Sequence, residues 1–405
     1  MKCKTLMLLC LSFLISGCSW SAIPYDPNHP AATAGIASPT PVAFSVVGPG
    51  GSYHVNSHQA FTASGGTGLG YVYSVITGSG TINPATGDYL SGNYPESVTI
   101  QVTDSSAATA TTTIAEGGTK LWNFGGNLGS SATIENYIFS SSDGVSWIKA
   151  AGKTIPVAIS DEGAVVFHDQ IYLIGGYDGA IDRKDAWVSG DGLNWSAANA
   201  NALGSVATNG AQDGTSIVFK DFIYYIGGAS SNGNSGNTYV VRSADGATWS
   251  SVGITQLPSA RTHHCAFVLN SVLYIIGGYN AAGTNLSGGY STSDGINWTA
   301  RATTGLQTFA ESSCTVQNGM VFLIGGLHNG TIFNTVYTSN DGLAWTASYS
   351  LSSVAADLNT FLFNGNMFSY SPSDGSGNVF EFNGTAWSTP ATGQIGQSYS
   401  AGVTF

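Results

Sequence analysis

Eight side chains between positions 161 and 357 are the strongest candidates for chemistry: Asp161, Glu162, Asp213, Arg261, His263, His264, Glu311 and Asp357. Carboxylates accept hydrogen bonds and attract cations, the Arg fork donates five, and imidazole changes charge near neutral pH. Brought to one point, such a set could hold a sugar, a peptide or a cation. No Gly-x-Ser-x-Gly elbow, P-loop or dinucleotide fingerprint occurs, so hydrolase, nucleotide and hydride chemistry have no foothold. No His-x-x-x-His or Cys-x-x-Cys spacing fixes a coordination geometry, and neither a metal, another cofactor nor a catalytic residue is expected.

A repeat positions these residues. An apolar run ending in two glycines occurs at Leu121–Gly126, Ile171–Gly176, Ile223–Gly228, Leu273–Gly278 and Val321–Gly326, with successive spacings of 50, 52, 50 and 48 residues. Each run is followed by an Asp-Gly pair and a Trp: Asp143, Gly144 and Trp147; Asp191, Gly192 and Trp195; Asp245, Gly246 and Trp249; Asp294, Gly295 and Trp298; Asp341, Gly342 and Trp345. Asn383, Gly384 and Trp387 form a sixth, degenerate copy, where Ser369-Tyr370-Ser371 replaces the diglycine. A period near 50 with four short strands per unit describes propeller blades, since one twisted sheet cannot bury both apolar faces alone. Asp-Gly is a tight-hairpin signal between strands c and d, and the Trp residues are expected to fill the space between blades. The first unit begins at its second strand (Lys120 to Gly126), and the chain ends with an unassigned strand, Tyr399 to Phe405. Joining them gives six full blades, closed by the C-terminal strand.

Diglycine, an aromatic four residues before the Asp (Trp187, Tyr290, Tyr337) and the trailing Trp resemble the kelch pattern, most fully from Pro258 through Arg261, His263 and His264 to Gly278. The resemblance implies a six-bladed kelch β-propeller over residues 118–405. It also implies that Arg261 and His263 occupy positions where kelch repeats carry structural Arg and His. In such a blade the long b–c and d–a loops share one face, and the eight candidate residues enter the inner strand from it, at the mouth of a central channel. Cys265 and Cys314 fall at equivalent positions of neighbouring inner strands, expected to lie too far apart for a disulfide and to serve as buried small hydrophobes.

The rest of the chain supplies an address and a spacer. Lys2 and Lys4, the apolar stretch Leu6 to Ile15 and the tetrapeptide ending at Cys18 resemble a bacterial lipoprotein leader over residues 1–18, which would make Cys18 the lipidated residue. Ser19 after it implies sorting to the outer membrane, periplasmic or surface-facing. Residues 19–40, rich in Pro, Ala, Ser and Thr, read as a flexible tether. Residues 41–117 alternate as short strands and resemble bacterial Ig-like β-sandwich modules, with a core expected from Phe61, Tyr71, Tyr73, Ile82, Tyr89, Val98, Ile100 and Ile114. With 8% charged residues, 54 glycines and few helix formers, the whole is expected to be all-β.

A net charge of −12 argues against nucleic acid. The expected function is a membrane-anchored, monomeric binding module for a protein or glycan, working through the long-loop face. The alternatives are a carbohydrate-active enzyme, because the resemblance extends to galactose-oxidase-like and sialic-acid mutarotase propellers, and a passive structural or adhesin component of the envelope. A sialidase is rejected, because the Asp-Gly motif lacks one residue of the sialidase Asp-box and the four arginines outside the leader sit in different repeats without a carboxylate-binding motif.

Overall fold

The computed structural model describes residues 43–405 apart from 49–54, 56, 67–68, 93–95, 117–119, 129–132, 231–235, 252, 372–376 and 393–396. The leader, Cys18 and the tether lie outside the described residues. Val42–Phe405 forms one compact unit, and its described elements are all strands.

Six four-stranded antiparallel sheets dominate. Sheets two to six each run in chain order from an inner strand: Gly163–Phe167, Gln212–Phe219, Cys265–Leu269, Ser313–Gln317 and Asn359–Phe363. Sheet one is assembled from both ends of the repeat region. Ala401–Thr404 pairs antiparallel with Leu121–Phe124, placing Ala401 opposite Phe124 and Thr404 opposite Leu121. Tyr137–Ser141 and Ile148–Thr154 complete it.

Local chemistry explains the repeat signatures. In sheet two, Ser189 Oγ accepts the Gly192 amide at 2.9 Å, and Asp191 Oδ1 accepts the amides of Leu193 and Asn194 at 2.8 and 2.7 Å. These bonds stabilise the ionised carboxylate and hold Asp191 down at about 2. Gly192 has φ +72, and a Cβ there would lie 2.9 Å from the Trp122 ring of sheet one, so both torsion and space demand glycine. The diglycine bonds in the other direction: the amides of Gly176 and Gly228 donate to Ala211 and Arg261 carbonyls of the following sheet at 2.9 Å.

Six apolar clusters each span two neighbouring sheets, and a seventh fills the N-terminal module. The repeated Trp residues sit in the inter-sheet clusters: Trp195 meets Phe124 edge-on at 5.0 Å, Trp147 packs on Phe361 at 5.6 Å, and Trp345 meets Phe267 at 6.1 Å. The indoles are therefore packing groups.

The inner strands neighbour one another in sequence order, and Ala401–Thr404 touches both Gly163–Phe167 and Asn359–Phe363. They surround a cavity of about 210 Å³ lined by residues of all six sheets. Val55 of the N-terminal module also lines it.

One expectation is overturned here. Cys265 and Cys314 form a disulfide with a Cα–Cα distance of 5.7 Å. Inner strands converge on the cavity more closely than outer strands, so equivalent positions come within bridging range. The bond ties sheet four to sheet five across 49 residues of sequence. Replacing both cysteines with Ala is expected to destabilise the chain by about 2–4 kcal/mol, read as a lower urea midpoint.

Residues 45–115 form eight short strands in three small sheets. Phe61, Tyr73, Tyr89, Val98, Ile100 and Ile114 are buried in their core, joined by Val46 and Val102, with Tyr71 and Ile82 packed at its margin.

Candidate functional site

One register position recurs in all six sheets, at the entry to the inner strand: two residues before it in five sheets, and at its second residue in sheet three. It is occupied by Asp161, Asp213, His263, Glu311, Asp357 and Tyr399. All six adopt the left-handed region, with φ between 51 and 60. That conformation costs roughly 1 kcal/mol for a residue with a Cβ, so six occurrences at one register imply a shared constraint. The constraint is a belt of backbone hydrogen bonds. The amide of Asp161 donates to the Tyr399 carbonyl (2.8 Å), Asp213 to Asp161 (3.0 Å), His263 to Asp213 (3.1 Å), Glu311 to His263 (3.1 Å) and Asp357 to Glu311 (2.9 Å).

The belt aims six side chains at one another. His263 Nε2 meets Asp213 Oδ1 at 3.1 Å, and Tyr279 donates its hydroxyl to Glu311 Oε1 at 2.8 Å. Donor atoms of His263, Glu311 and Asp357 lie within 4.8 Å of one another, close enough for one small cation to touch all three. Four carboxylates face one imidazole, and the crowding shows in their protonation. Burial, then the Asp213 charge, pushes Asp161 well above the usual carboxylate range. Burial and Glu311 push Asp357 up to about 8. Burial alone would lower His263, but Asp213, Asp357 and Glu311 outweigh it and raise the imidazole to about 10, so it is cationic at neutral pH. The Asp357 charge, then burial, raises the Tyr399 phenol to about 12. The side chains of His263 and Asp213 keep 12% and 7% of their surface, so this enclosed space still admits water.

Of the eight expected residues the structure brings five together. Three point elsewhere. Arg261 is buried; its Nη1 donates to the carbonyls of Gly277 and Gly288, and the guanidinium lies over Tyr290 at 5.2 Å. It braces the diglycine of sheet four. His264 lies under Gly227 and Gly278, and burial, with the nearby charges of Arg261 and His263, pushes it down to about 3. Glu162 is likewise packed against Gly125 and Gly176. Both follow a belt residue, and alternation along a strand turns consecutive side chains to opposite sides. Tyr399 escaped the sequence reading, although counting two residues back from the tail strand, as Asp161 stands from Gly163, would have found it.

A second concavity of about 700 Å³ opens on the same face between Tyr177, Asp182, Lys184 and Thr208. Its arginine is committed: Arg183 bridges Asp178 at 3.0 Å and Asp185 on its other side, so it is not free for a ligand carboxylate.

Residues 96–278 match the KLHDC2/KLHL20/DRC7 Kelch-repeats domain, a span that begins within the N-terminal module, one residue before strand Ser97–Thr103. No curated protein matches the chain. The family match, which covers under half of the chain, and the four-stranded antiparallel sheets together support a kelch-type β-propeller.

Proposed function

We propose that the protein is a binding module that receives a positively charged group of a protein partner, a Lys or Arg side chain, into the ring of Asp161, Asp213, His263, Glu311, Asp357 and Tyr399. The observation that carries this reading is the ring itself: four carboxylates against one imidazolium, held at one register by a backbone belt. Crowding makes Asp161 and Asp357 hold their protons when the ring is alone, and an incoming cation would favour their ionised forms. Loops that follow the diglycines would supply the wider contact surface.

In this reading the six four-stranded sheets are the blades of one closed propeller, clasped by the tail strand. Six inter-sheet apolar clusters and a cavity lined from all six inner strands support closure. Residues 41–117 serve as an Ig-like spacer. Lys2, Lys4, the apolar stretch and Cys18 support export and lipid anchoring at the outer membrane, and the acidic balance argues against nucleic acid. No observation favours a carbohydrate-active enzyme.

Arrays of basic and acidic peptides test the reading. The triple variant Asp213→Asn, Glu311→Gln, Asp357→Asn is expected to bind basic peptides at least tenfold more weakly, with circular dichroism unchanged. Equal binding by the variant, or a preference of the wild type for acidic peptides, overturns it.

A further inference from the structure

On the face opposite the long loops, two-residue a–b turns join the inner strands to their neighbours. Both residues of each turn have positive φ: 47 and 58 for His168 and Asp169, 49 and 59 for Lys220 and Asp221, 51 and 60 for Asn270 and Ser271. Such turns favour Asn followed by Gly, and the fifth and sixth sheets comply with Asn318-Gly319 and Asn364-Gly365. Sheets two and three depart from this preference with His168 and Asp221, and the N-terminal module reaches those two turns with His58.

The three side chains converge. His168 Nε2 lies 2.7 Å from Asp221 Oδ1, and His58 Nε2 lies 3.2 Å from Asp221 Oδ2. All three donor atoms fall within 4.8 Å of one another. His58 also faces Asp88 Oδ1 with its other nitrogen, Nδ1, at 3.5 Å. Two imidazoles and a carboxylate, with one imidazole backed by an outer carboxylate, are the donor set and support that zinc-class divalent ions take. Ligand atoms around tetrahedral zinc stand about 3.3 Å apart, given bonds of about 2.0–2.1 Å. The two imidazole nitrogens stand 2.7 and 3.2 Å from opposite oxygens of the Asp221 carboxylate, so an ion would enter by replacing these hydrogen bonds and parting the groups slightly.

We propose that His58, His168 and Asp221 form a zinc(II) site that cross-links the N-terminal module to the turns of sheets two and three, with Asp88 positioning His58. The ion leaves at least one coordination position for water. It would fasten the module beneath the cavity that Val55 helps line, on the side away from the carboxylate ring. The site is independent of the binding function proposed above.

The test uses the purified full chain, freed of metal by a chelator and then titrated with zinc by calorimetry and with cobalt(II) by visible absorption. The expected result is one ion per chain, with the intense visible bands of tetrahedral or five-coordinate cobalt. His168→Ala and Asp221→Asn are each expected to weaken binding at least a hundredfold, and Asp88→Asn about tenfold, in line with an outer-sphere role. His168→Ala also removes a ring stacked 3.8 Å over Phe167 of the cluster between sheets two and three, so a retained cooperative melt checks that the chain is folded, and Asp221→Asn, which keeps that ring, separates loss of the ion from loss of packing. The proposal is overturned if the wild type takes up no ion, if His168→Ala and Asp221→Asn bind as tightly as wild type, or if the ion is lost instead on His263→Ala.

Discussion

A chain ending at Ser398 is expected to lose cooperative folding altogether. Truncation there removes the inner strand Ala401–Thr404, leaving Leu121–Phe124 as an open edge with its amides and carbonyls unpaired. Val403 leaves the cluster holding Trp122, Phe124 and Ile171, and Thr404 no longer donates to the Leu362 carbonyl at 3.1 Å. Asn359 loses Ser400, whose carbonyl and hydroxyl it contacts at 2.9 and 3.2 Å. Asp161 loses the Tyr399 carbonyl, which breaks the belt. Ladder hydrogen bonds at about 0.5–1.5 kcal/mol each, with the burial of Val403, amount to a large share of the roughly 5–15 kcal/mol that holds a folded domain together. Urea denaturation followed by Trp fluorescence should show no transition for the truncated chain, and light scattering should show association through the open edge. A single transition at the wild-type midpoint would mean that the tail contributes nothing to closure. Gly402→Val is a gentler probe. A Cβ at Gly402 would lie 2.5 Å from Phe361 Cζ, and the variant should melt lower without unfolding.

The sequence made much of this architecture legible because its signatures do local work. Two glycines in a row encode the left-handed torsions at the end of the second strand; Asp-Gly with a preceding Ser or Thr encodes a turn wired by its own side chains; the Trp three residues after the Gly encodes what fills the adjoining gap. None of these needs knowledge of distant contacts. The candidate site was partly legible for the same reason, since Asp161, Asp213, His263, Glu311 and Asp357 share one register. Residues beside them were harder. Arg261 and His264 have chemistry as versatile as that of His263; alternation turns His264 away from the ring, and the Gly277 and Gly288 carbonyls hold Arg261 away from it. The Cys265–Cys314 bond was misread because it depends on how far inner strands converge, a global quantity. The cluster of His58, His168 and Asp221 was invisible, since it joins a strand of one module to hairpin turns of another.

Glu162 supplies the remaining large effect, on stability and not on binding. Its carboxyl is buried against Gly125 and Gly176, and neither oxygen has a hydrogen-bond partner of normal geometry among the described residues. Burial pushes its pKa up to about 8, softened by its own amide and that of Ala401 in the tail strand. An unfolded chain returns the group to about 4.3. Between those values the folded state holds a proton that the unfolded state has released, so this group's contribution to stability is fully present below about pH 4 and falls as pH rises through about 8. At 1.36 kcal/mol per unit the loss approaches about 5 kcal/mol, a large share of a domain's total. Glu162→Gln keeps the size and removes the titration. Any packing penalty of the amide is independent of pH, so the informative quantity is the difference in unfolding free energy between variant and wild type followed from pH 4 to pH 9. That difference should move in favour of the variant by roughly 4–5 kcal/mol over the range, with most of the change between pH 5 and 8. Asp161, Asp357 and His263 titrate in both chains and cancel. A flat difference would show that Glu162 ionises in the folded chain as it does in water, and that a donor satisfies it beneath the diglycines.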